Sequence, residues 1–159
     1  MKIQYTKEEE QDLHGYCDAD WGNDLDNRRS VSGYVFISQG GPIAWCTKRQ
    51  PTVALSTAEA EYVSISVATQ QASWLRNIHQ EVHRTNLPAV TIYCDNKSAV
   101  DLTTTNMYHS RTKHIDLKQH FIREKVDESA INVKYVKTEE MFADVLMKGL
   151  ANAKHFMYK

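Results

Sequence analysis

The sequence contains little proline, glycine or cysteine: its 159 residues include three prolines, six glycines and three cysteines. Cys17, Cys46 and Cys94 are widely spaced and form no CxxC pair, which argues against a disulfide framework and against a zinc site. No apolar run is long enough to span a bilayer, and the opening MKIQYTKEEEQD has no apolar signal segment. These absences predict an intracellular protein in a reducing compartment, without a membrane anchor.

The sequence also has no excess of charge of one sign. Its 19 lysines and arginines face 20 aspartates and glutamates, for a net charge of -1. A nucleic-acid partner would therefore have to be met by a local basic face and by metal ions rather than by the charge of the whole chain. With 42% hydrophobic and 25% charged residues, the composition is typical of one globular domain with a single core.

The hydrophobic pattern predicts three strands followed by alternating helices and strands. The strands are predicted in LHGYCDADW, VSGYVFIS, PIAWCTK, AVTIYCD and INVKYVK. The helices are predicted from about Thr57 to Val82, from about Lys97, in HIDLKQHFIREKV and in EEMFADVLMKGL. Residues 1–12 are polar and are predicted to be a flexible lead-in or a tether. This order of elements predicts an α/β sheet that is antiparallel at first and parallel later.

The stretch GYCDADWGNDLDNRR is crowded with carboxylates. A calcium loop starting at Asp18 would place Gly22 where a ligand belongs and Asn23 where the required glycine belongs, so the spacing excludes that motif. Asp24 and Asp26 lie among residues typical of a solvated turn. The crowding by itself therefore indicates a turn and no ion site.

Asp18 differs from its acidic neighbours because it lies within the first predicted strand. Successive side chains of a strand point to opposite faces, so Asp18 faces away from Cys17 and Ala19 and occupies a position that normally carries a packing residue. We interpret Asp20 as structural. Asp18 is the carboxylate of this strand for which a functional reason is needed.

The longest predicted helix carries one acid on its apolar stripe. The stripe consists of Ala58, Glu61, Ile65, Ala68, Ala72 and Leu75. An unpaired ionised carboxylate among apolar residues is costly, and such groups are kept when they bind metal or do chemistry. Glu59 has a structural explanation, because STAE fits a capping box with Ser56 as the N-cap. The pattern therefore assigns Glu61 to function and Glu59 to the helix cap.

Two further acids follow in the second half of the chain. Asp95 ends a buried-type strand at the start of a helix, and in open α/β sheets ligands bind at that edge. The alternative is that Asp95 or Asn96 merely caps the helix. Asp144 is predicted on the polar side of the last helix, where a solvated acid is the default.

Five blocks, in order, resemble the ribonuclease H domain at the end of copia-type retrotransposon polyproteins. They are YCDADWGNDLDNRRSVSGYVF, VALSTAEAEYVSI, IYCDNKSAV, TKHIDLKQHFIRE and ADVLMKGL. The resemblance covers residues 13–150 and leaves a short C-terminal tail at 151–159. It implies the ribonuclease H-like fold, an α/β fold with a five-stranded mixed sheet of order 3-2-1-4-5, with strand 2 antiparallel and helices flanking the sheet.

The resemblance also implies a site and an activity. The catalytic, metal-binding acids would be Asp18, Glu61, Asp95 and Asp144. They would hold two Mg²⁺ ions about 4 Å apart, with Mn²⁺ as a substitute, and cleave the RNA strand of an RNA/DNA hybrid. Asp18 would bridge the two ions. Cellular and retroviral relatives carry a histidine in the loop before the last acid, whereas the corresponding VKTEEMFAD has none, and the last block has LMKGL where the family more often has Thr and Pro.

The same resemblance implies partners and a location. A reverse transcriptase domain would lie upstream in a polyprotein, and the protein would act in the cytoplasm or in a virus-like particle. The basic stretch from His109 to Lys125 is either a phosphate-binding surface or a solvated helix face. The candidate nucleic-acid-binding residues are Arg111, Lys113, His114 and Lys118.

Two functional hypotheses follow from these residues. The first is an active, metal-dependent endoribonuclease. The second is a catalytically inactive retroelement-derived remnant that binds nucleic acid without cleaving it. An integrase of the same general fold is disfavoured, because integrases do not use a glutamate in the first long helix, where Glu61 lies.

Overall fold

The computed structural model describes Tyr5, residues 13–105 and residues 113–147, and the side chains of residues 113 and 114 are outside the description. It contains β1 (His14–Asp20), β2 (Val31–Ser38), β3 (Gly41–Arg49), α1 (Thr57–His83), β4 (Val90–Cys94), α2 (Lys97–Thr104), α3 (Lys113–Asp127) and β5 (Ile131–Tyr135). Two short 3-10 helices follow, η1 (Thr138–Glu140) and η2 (Phe142–Leu146). Among these described elements, no helix combines the length and the apolar character needed to cross a bilayer.

The five strands form one sheet in the order β3-β2-β1-β4-β5. Strands β1, β2 and β3 pair antiparallel, whereas β4 runs parallel to both β1 and β5. The antiparallel strands β1, β2 and β3 follow one another along the chain without an intervening helix, and helices precede both β4 and β5, as the strand directions require. The predicted strand order and the predicted mixture of directions are confirmed.

Helix α1 packs across β1, β2 and β4 and closes the main core. The core contains Cys17, Phe36, Tyr62, Ile65, Ala68, Ala72, Val90, Ile92, Cys94, Ala99, Ile122, Ile131 and Val133. The predicted apolar stripe of α1 supplies Ile65, Ala68 and Ala72, all fully buried. The predicted start of α1 is also confirmed, because Ser56 is its N-cap and accepts a hydrogen bond from the Glu59 amide at 3.1 Å.

The prediction of one helix over EEMFADVLMKGL is wrong for the part of it that the structure describes. Residues 138–146 form two 3-10 helices separated by Met141, whose backbone is extended (φ -78°, ψ 98°) and whose side chain is fully buried. Apolar residues at three- and four-residue steps fit either helix type, so the local pattern could not reveal this break. The rest of that segment, at 148–150, lies outside the described residues.

The predicted lead-in at 1–12 and the predicted tail at 151–159 also lie outside the described residues, apart from Tyr5. The Tyr5 hydroxyl donates a hydrogen bond to the carbonyl oxygen of Pro42 at 2.9 Å.

Gly15 of β1 and Gly33 of β2 should differ in how well they tolerate substitution by alanine. A Cβ on Gly15 would lie 2.5 Å from Cε1 of the buried Phe36 ring, whereas a Cβ on Gly33 would meet the flexible Met147 side chain at 2.8 Å. We expect Gly15→Ala to lower the free energy of unfolding by about 1–3 kcal/mol and Gly33→Ala to lower it less. Urea unfolding of the two variants measures the difference, and equal losses would contradict this account of the packing.

Candidate active site

The first feature that positions the site is the contact between α1 and the sheet. The Ser64 hydroxyl lies 2.8 Å from the carbonyl oxygen of Asp18 and 3.3 Å from that of Gly33, so it ties the first turns of α1 to β1 and β2. Glu61 lies three residues before Ser64 on the same helix. Because β1 and β4 are parallel neighbours, their carboxyl ends lie at the same edge of the sheet, and Asp95 directly follows β4.

Three side chains converge at this edge. The ligand atoms of Glu61, Cys94 and Asp95 lie within 4.8 Å of one another. The Cys94 thiol donates a hydrogen bond to Oε2 of Glu61 at a sulfur–oxygen distance of 3.7 Å. Among the described residues, this is the group of acids, cysteines and histidines compact enough to hold an ion. It includes two of the four predicted acids and a cysteine that the sequence analysis did not select.

Asp18 lies beside this group, against Glu61. Its side chain is buried, with 1% exposed, and it hydrogen-bonds with the Glu61 carboxyl. Burial, and after it the nearby Cys94, Asp18 and Asp95, together raise the pKa of Glu61 to about 11. Without a cation, Glu61 therefore holds a proton at neutral pH, because ionising it would place another negative charge in a buried acidic cluster.

Asp95 does not cap α2. The cap is Asn96, whose side chain accepts a hydrogen bond from the Ala99 amide at 3.1 Å. Asp95 instead accepts a hydrogen bond from the Thr138 hydroxyl at 2.8 Å. Both capping alternatives were open from the sequence, and no local pattern links Asp95 to Thr138, which lies 43 residues later in the chain.

Asp144 is buried, with 1% exposed, so the prediction of a solvated acid on a polar helix face is wrong. It lies in η2, which packs against β1 and β2. The Phe142 ring contacts the Tyr16 ring at a centroid distance of 4.9 Å, and Met147 lies over Gly33, the ladder partner of Asp18. Asp144 therefore lies in a segment packed over the part of the sheet that carries Asp18, although it is not one of the three side chains that converge most closely.

The other acids near Asp18 form the predicted turn. Asp24 accepts hydrogen bonds from the backbone amides of Asp26 and Asn27 and forms an ion pair with Arg49 at 2.9 Å. The hydrogen bond from Arg49 lowers the pKa of Asp24. The interpretation of Asp24 and Asp26 as turn residues is confirmed. Asp20 ends β1 and accepts a hydrogen bond from the side-chain amide of Asn23, in keeping with the structural role expected of it.

The candidate nucleic-acid-binding residues are only partly described. Arg111 and the side chains of Lys113 and His114 lie outside the described residues. Lys118 is half-buried on α3. Lys125, seven residues later on the same helix face, forms ion pairs with Glu124 and Glu128 at 2.9 Å each, so its charge is already balanced.

The donors at this site suit a hard divalent cation in part. Mg²⁺ prefers carboxylate oxygens, which Glu61, Asp95 and the adjacent Asp18 supply. The Cys94 sulfur is a soft ligand that Mg²⁺ does not favour. The residues therefore fit Mg²⁺ through their oxygens.

The raised pKa of Glu61 predicts a measurable effect on stability. The folded pKa of about 11 exceeds the ordinary value of 4.5, so the stabilising contribution of the protonated form is complete below about pH 4.5 and is lost as pH rises toward the folded pKa. Glutamine does not ionise, so in the presence of a chelator we expect Glu61→Gln to raise the free energy of unfolding at neutral pH by about 1–3 kcal/mol.

Urea unfolding from about pH 5 to about pH 8 tests this expectation, and the gain should grow with pH. Glu139→Gln makes the same chemical change at an exposed position and serves as the matched control. A gain that shrinks as pH rises, or an equal gain in the control, would contradict the account of Glu61.

The chain is similar in sequence to part of several retrotransposon Pol polyproteins. No protein-family model matches the chain. The chain is 46% identical over 136 residues, 86% of its length, to the retrovirus-related Pol polyprotein from transposon TNT 1-94 of Nicotiana tabacum. It is 40% and 39% identical, over 87% of its length, to the Pol polyproteins from transposons RE1 and RE2 of Arabidopsis thaliana. It spans only 10% of the length of each of these polyproteins.

Solved structures show the same fold. The chain superposes on LC11-RNase H1 in complex with an RNA/DNA hybrid with a TM-score of 0.59 and 14% identity, over 84% of this chain and 92% of that one. It superposes on RNase H1 from Halobacterium salinarum with a TM-score of 0.56 and 18% identity, over the same two shares. At these identities the likeness is one of fold.

Proposed function

Because this chain is a region of a copia-type retrotransposon Pol polyprotein with the ribonuclease H-like fold, we propose that it is a metal-dependent endoribonuclease. Its substrate is the RNA strand of an RNA/DNA hybrid, and its role is in reverse transcription of the element. LC11-RNase H1 has been solved with such a hybrid bound, which supports this choice of substrate class.

The observation that carries the proposal is the convergence of carboxyl groups from separate elements. Glu61 comes from α1, Asp95 follows β4, and Asp18 of β1 contacts Glu61. Carboxylates this close repel one another when ionised, and a divalent cation relieves the repulsion. An arrangement that is costly without a cation is what a metal-dependent active site requires.

The residues have separable tasks in this mechanism. Two bound Mg²⁺ ions would supply an activated water and stabilise the leaving 3′-oxygen. Asp18, Glu61, Asp95 and Asp144 would provide the negative charge that holds these ions. The Thr138 hydroxyl fixes the orientation of the Asp95 carboxylate through its hydrogen bond at 2.8 Å. Ser64 keeps α1, and with it Glu61, against β1.

The organisation of the chain follows from the same proposal. We propose that residues 13–150 are the nuclease domain, with residues 1–12 as a lead-in or a tether to a reverse transcriptase domain upstream in the polyprotein. RNA is distinguished from DNA through its 2′-hydroxyl groups in the minor groove.

The proposal predicts metal-dependent cleavage of one strand only. With Mg²⁺ or Mn²⁺ the chain should cut the RNA of a labelled RNA/DNA hybrid and leave an RNA duplex and a DNA duplex intact. Asp18→Asn and Asp95→Asn should each lower the rate by about 100-fold or more, because each removes a charge that holds the ions. Asp26→Asn makes the same change in the solvated turn and should leave the rate unchanged.

Two outcomes would count against this function. Folded protein that binds the hybrid but cuts it with neither ion would favour the catalytically inactive, nucleic-acid-binding remnant. Equal cleavage rates for Asp95→Asn and for the control Asp26→Asn would show that the carboxyl cluster takes no part in the reaction. Circular dichroism of every variant establishes that it is folded.

The ion pairs of the lysines on α3 predict which of these lysines contacts the hybrid. Lys118 is the proposed phosphate contact, together with Arg111, Lys113 and His114, whereas Lys125 is neutralised by Glu124 and Glu128. Lys118→Ala should weaken hybrid binding. The plot of the logarithm of the binding constant against the logarithm of the salt concentration should become less steep by about 0.9, the share of one phosphate contact. Lys125→Ala is the matched control and should leave that slope unchanged. Fluorescence anisotropy at several salt concentrations measures both, and equal slopes for the two variants would exclude Lys118 as a contact.

A further inference from the structure

Cys94 has no task in the proposed reaction, yet its sulfur lies within 4.8 Å of ligand atoms of Glu61 and Asp95, two of the proposed metal-binding acids. The parallel register pairs Tyr16 with Tyr93, so the next residues, Cys17 and Cys94, are also neighbours across the two strands. Both cysteines are fully buried, and their thiols hydrogen-bond to each other. The Cys94 sulfur lies 3.7 Å from Glu61 Oε2, and the Asp95 carboxylate completes the group.

We propose that Glu61, Cys94 and Asp95 form a binding site for thiophilic divalent cations such as Zn²⁺ and Cd²⁺. An ion bound there occupies the carboxylates that Mg²⁺ requires and therefore inhibits the nuclease. The binding itself does not depend on the proposed function, whereas the inhibition rests on it.

The distances suit such an ion. Zinc binds thiolate sulfur at about 2.3 Å and carboxylate oxygen at about 2.0–2.2 Å, so two ligands at a tetrahedral angle lie about 3.6 Å apart. The observed sulfur–oxygen distance between Cys94 and Glu61 is 3.7 Å. The third ligand atom, from Asp95, lies within 4.8 Å of both. A water molecule can fill the fourth position, as in zinc sites with three protein ligands.

The chemistry favours a soft ion over Mg²⁺. A metal–sulfur bond replaces the S–H bond of Cys94 and a metal–oxygen bond replaces the O–H bond of Glu61, and both released protons pass to the solvent. The thiol of Cys17 can then donate its hydrogen bond to the bound sulfur and hold it in place, as residues behind metal ligands commonly do. Thiolate ligands select Zn²⁺ and Cd²⁺, whereas Mg²⁺ prefers oxygen alone.

The spacing of the cysteines in the sequence predicted no zinc site, and the tertiary structure explains why. The three ligands come from α1, from the end of β4 and from the residue after it, and the second cysteine comes from β1. A search for paired cysteines along the chain cannot detect such a site, because the strand pairing brings the residues together.

Cadmium titration of the metal-free full chain tests the site without nucleic acid. Wild-type protein should develop thiolate-to-cadmium charge-transfer absorption in the ultraviolet, saturating at one ion per chain, and excess Mg²⁺ should not abolish it. Cys94→Ser should lose the band. Cys46→Ser makes the same change on β3, outside the cluster, and should keep it.

Loss of the band in Cys46→Ser with retention in Cys94→Ser, or no band in wild type, would overturn the proposal. Cys94→Ala, checked by circular dichroism, provides a second variant in case serine disturbs the core. Asp95→Asn should weaken cadmium binding by about 10-fold or more while Cys94 is intact, and unchanged affinity would exclude Asp95 as a ligand.

The inhibitory consequence has a separate readout. In the Mg²⁺-dependent cleavage assay, the Zn²⁺ concentration that halves the rate should rise by about 10-fold or more in Cys94→Ser relative to Cys46→Ser. Equal sensitivity to Zn²⁺ would overturn the inhibition. If the chain binds cadmium through Cys94 but cuts no hybrid, the metal site stands and the nuclease proposal fails.

Discussion

The contact between α1 and β1 is the constraint on which the rest of the site depends. One hydroxyl, that of Ser64, lies within hydrogen-bonding distance of backbone carbonyl oxygens on two neighbouring strands. It fixes the rotation of α1, and the rotation decides which side chain meets the edge of the sheet. Glu61 therefore lies against Asp18 and Cys94 instead of in solvent. A small change at this contact would move a carboxyl group that the proposed chemistry requires.

The site is organised at the expense of stability. Glu61, with 6% exposed, and Asp18, with 1%, are removed from water, and Asp18 is one of the groups that raise the pKa of Glu61. The carboxyls of Asp18 and Asp95 disfavour ionisation of Glu61, so this side chain is poised to exchange a proton for a cation. The apolar core beneath the edge, including Phe36 and Ile65, supplies the burial that offsets this cost.

Where a residue's role follows from its own segment, the sequence is a good guide. The boundaries of β2 were predicted to the residue, and α1 was predicted from Thr57 to within one residue of its end, because alternation and three-to-four spacing are local properties. The segment around Met141 is the exception. A fully buried methionine with an extended backbone separates the two 3-10 helices there, and burial is a property of the folded chain that the local pattern does not carry.

The sequence by itself determined the five strands, the three α-helices, their order and the acids that do not belong on apolar positions, Asp18 and Glu61. Local pattern and the cost of burying charge are sufficient for those inferences. Only the tertiary structure decided that Asn96 caps α2, that Thr138 holds Asp95 and that Cys94 lies against Glu61. The last two contacts join residues more than thirty positions apart, and strand pairing and helix packing decide which distant residues meet.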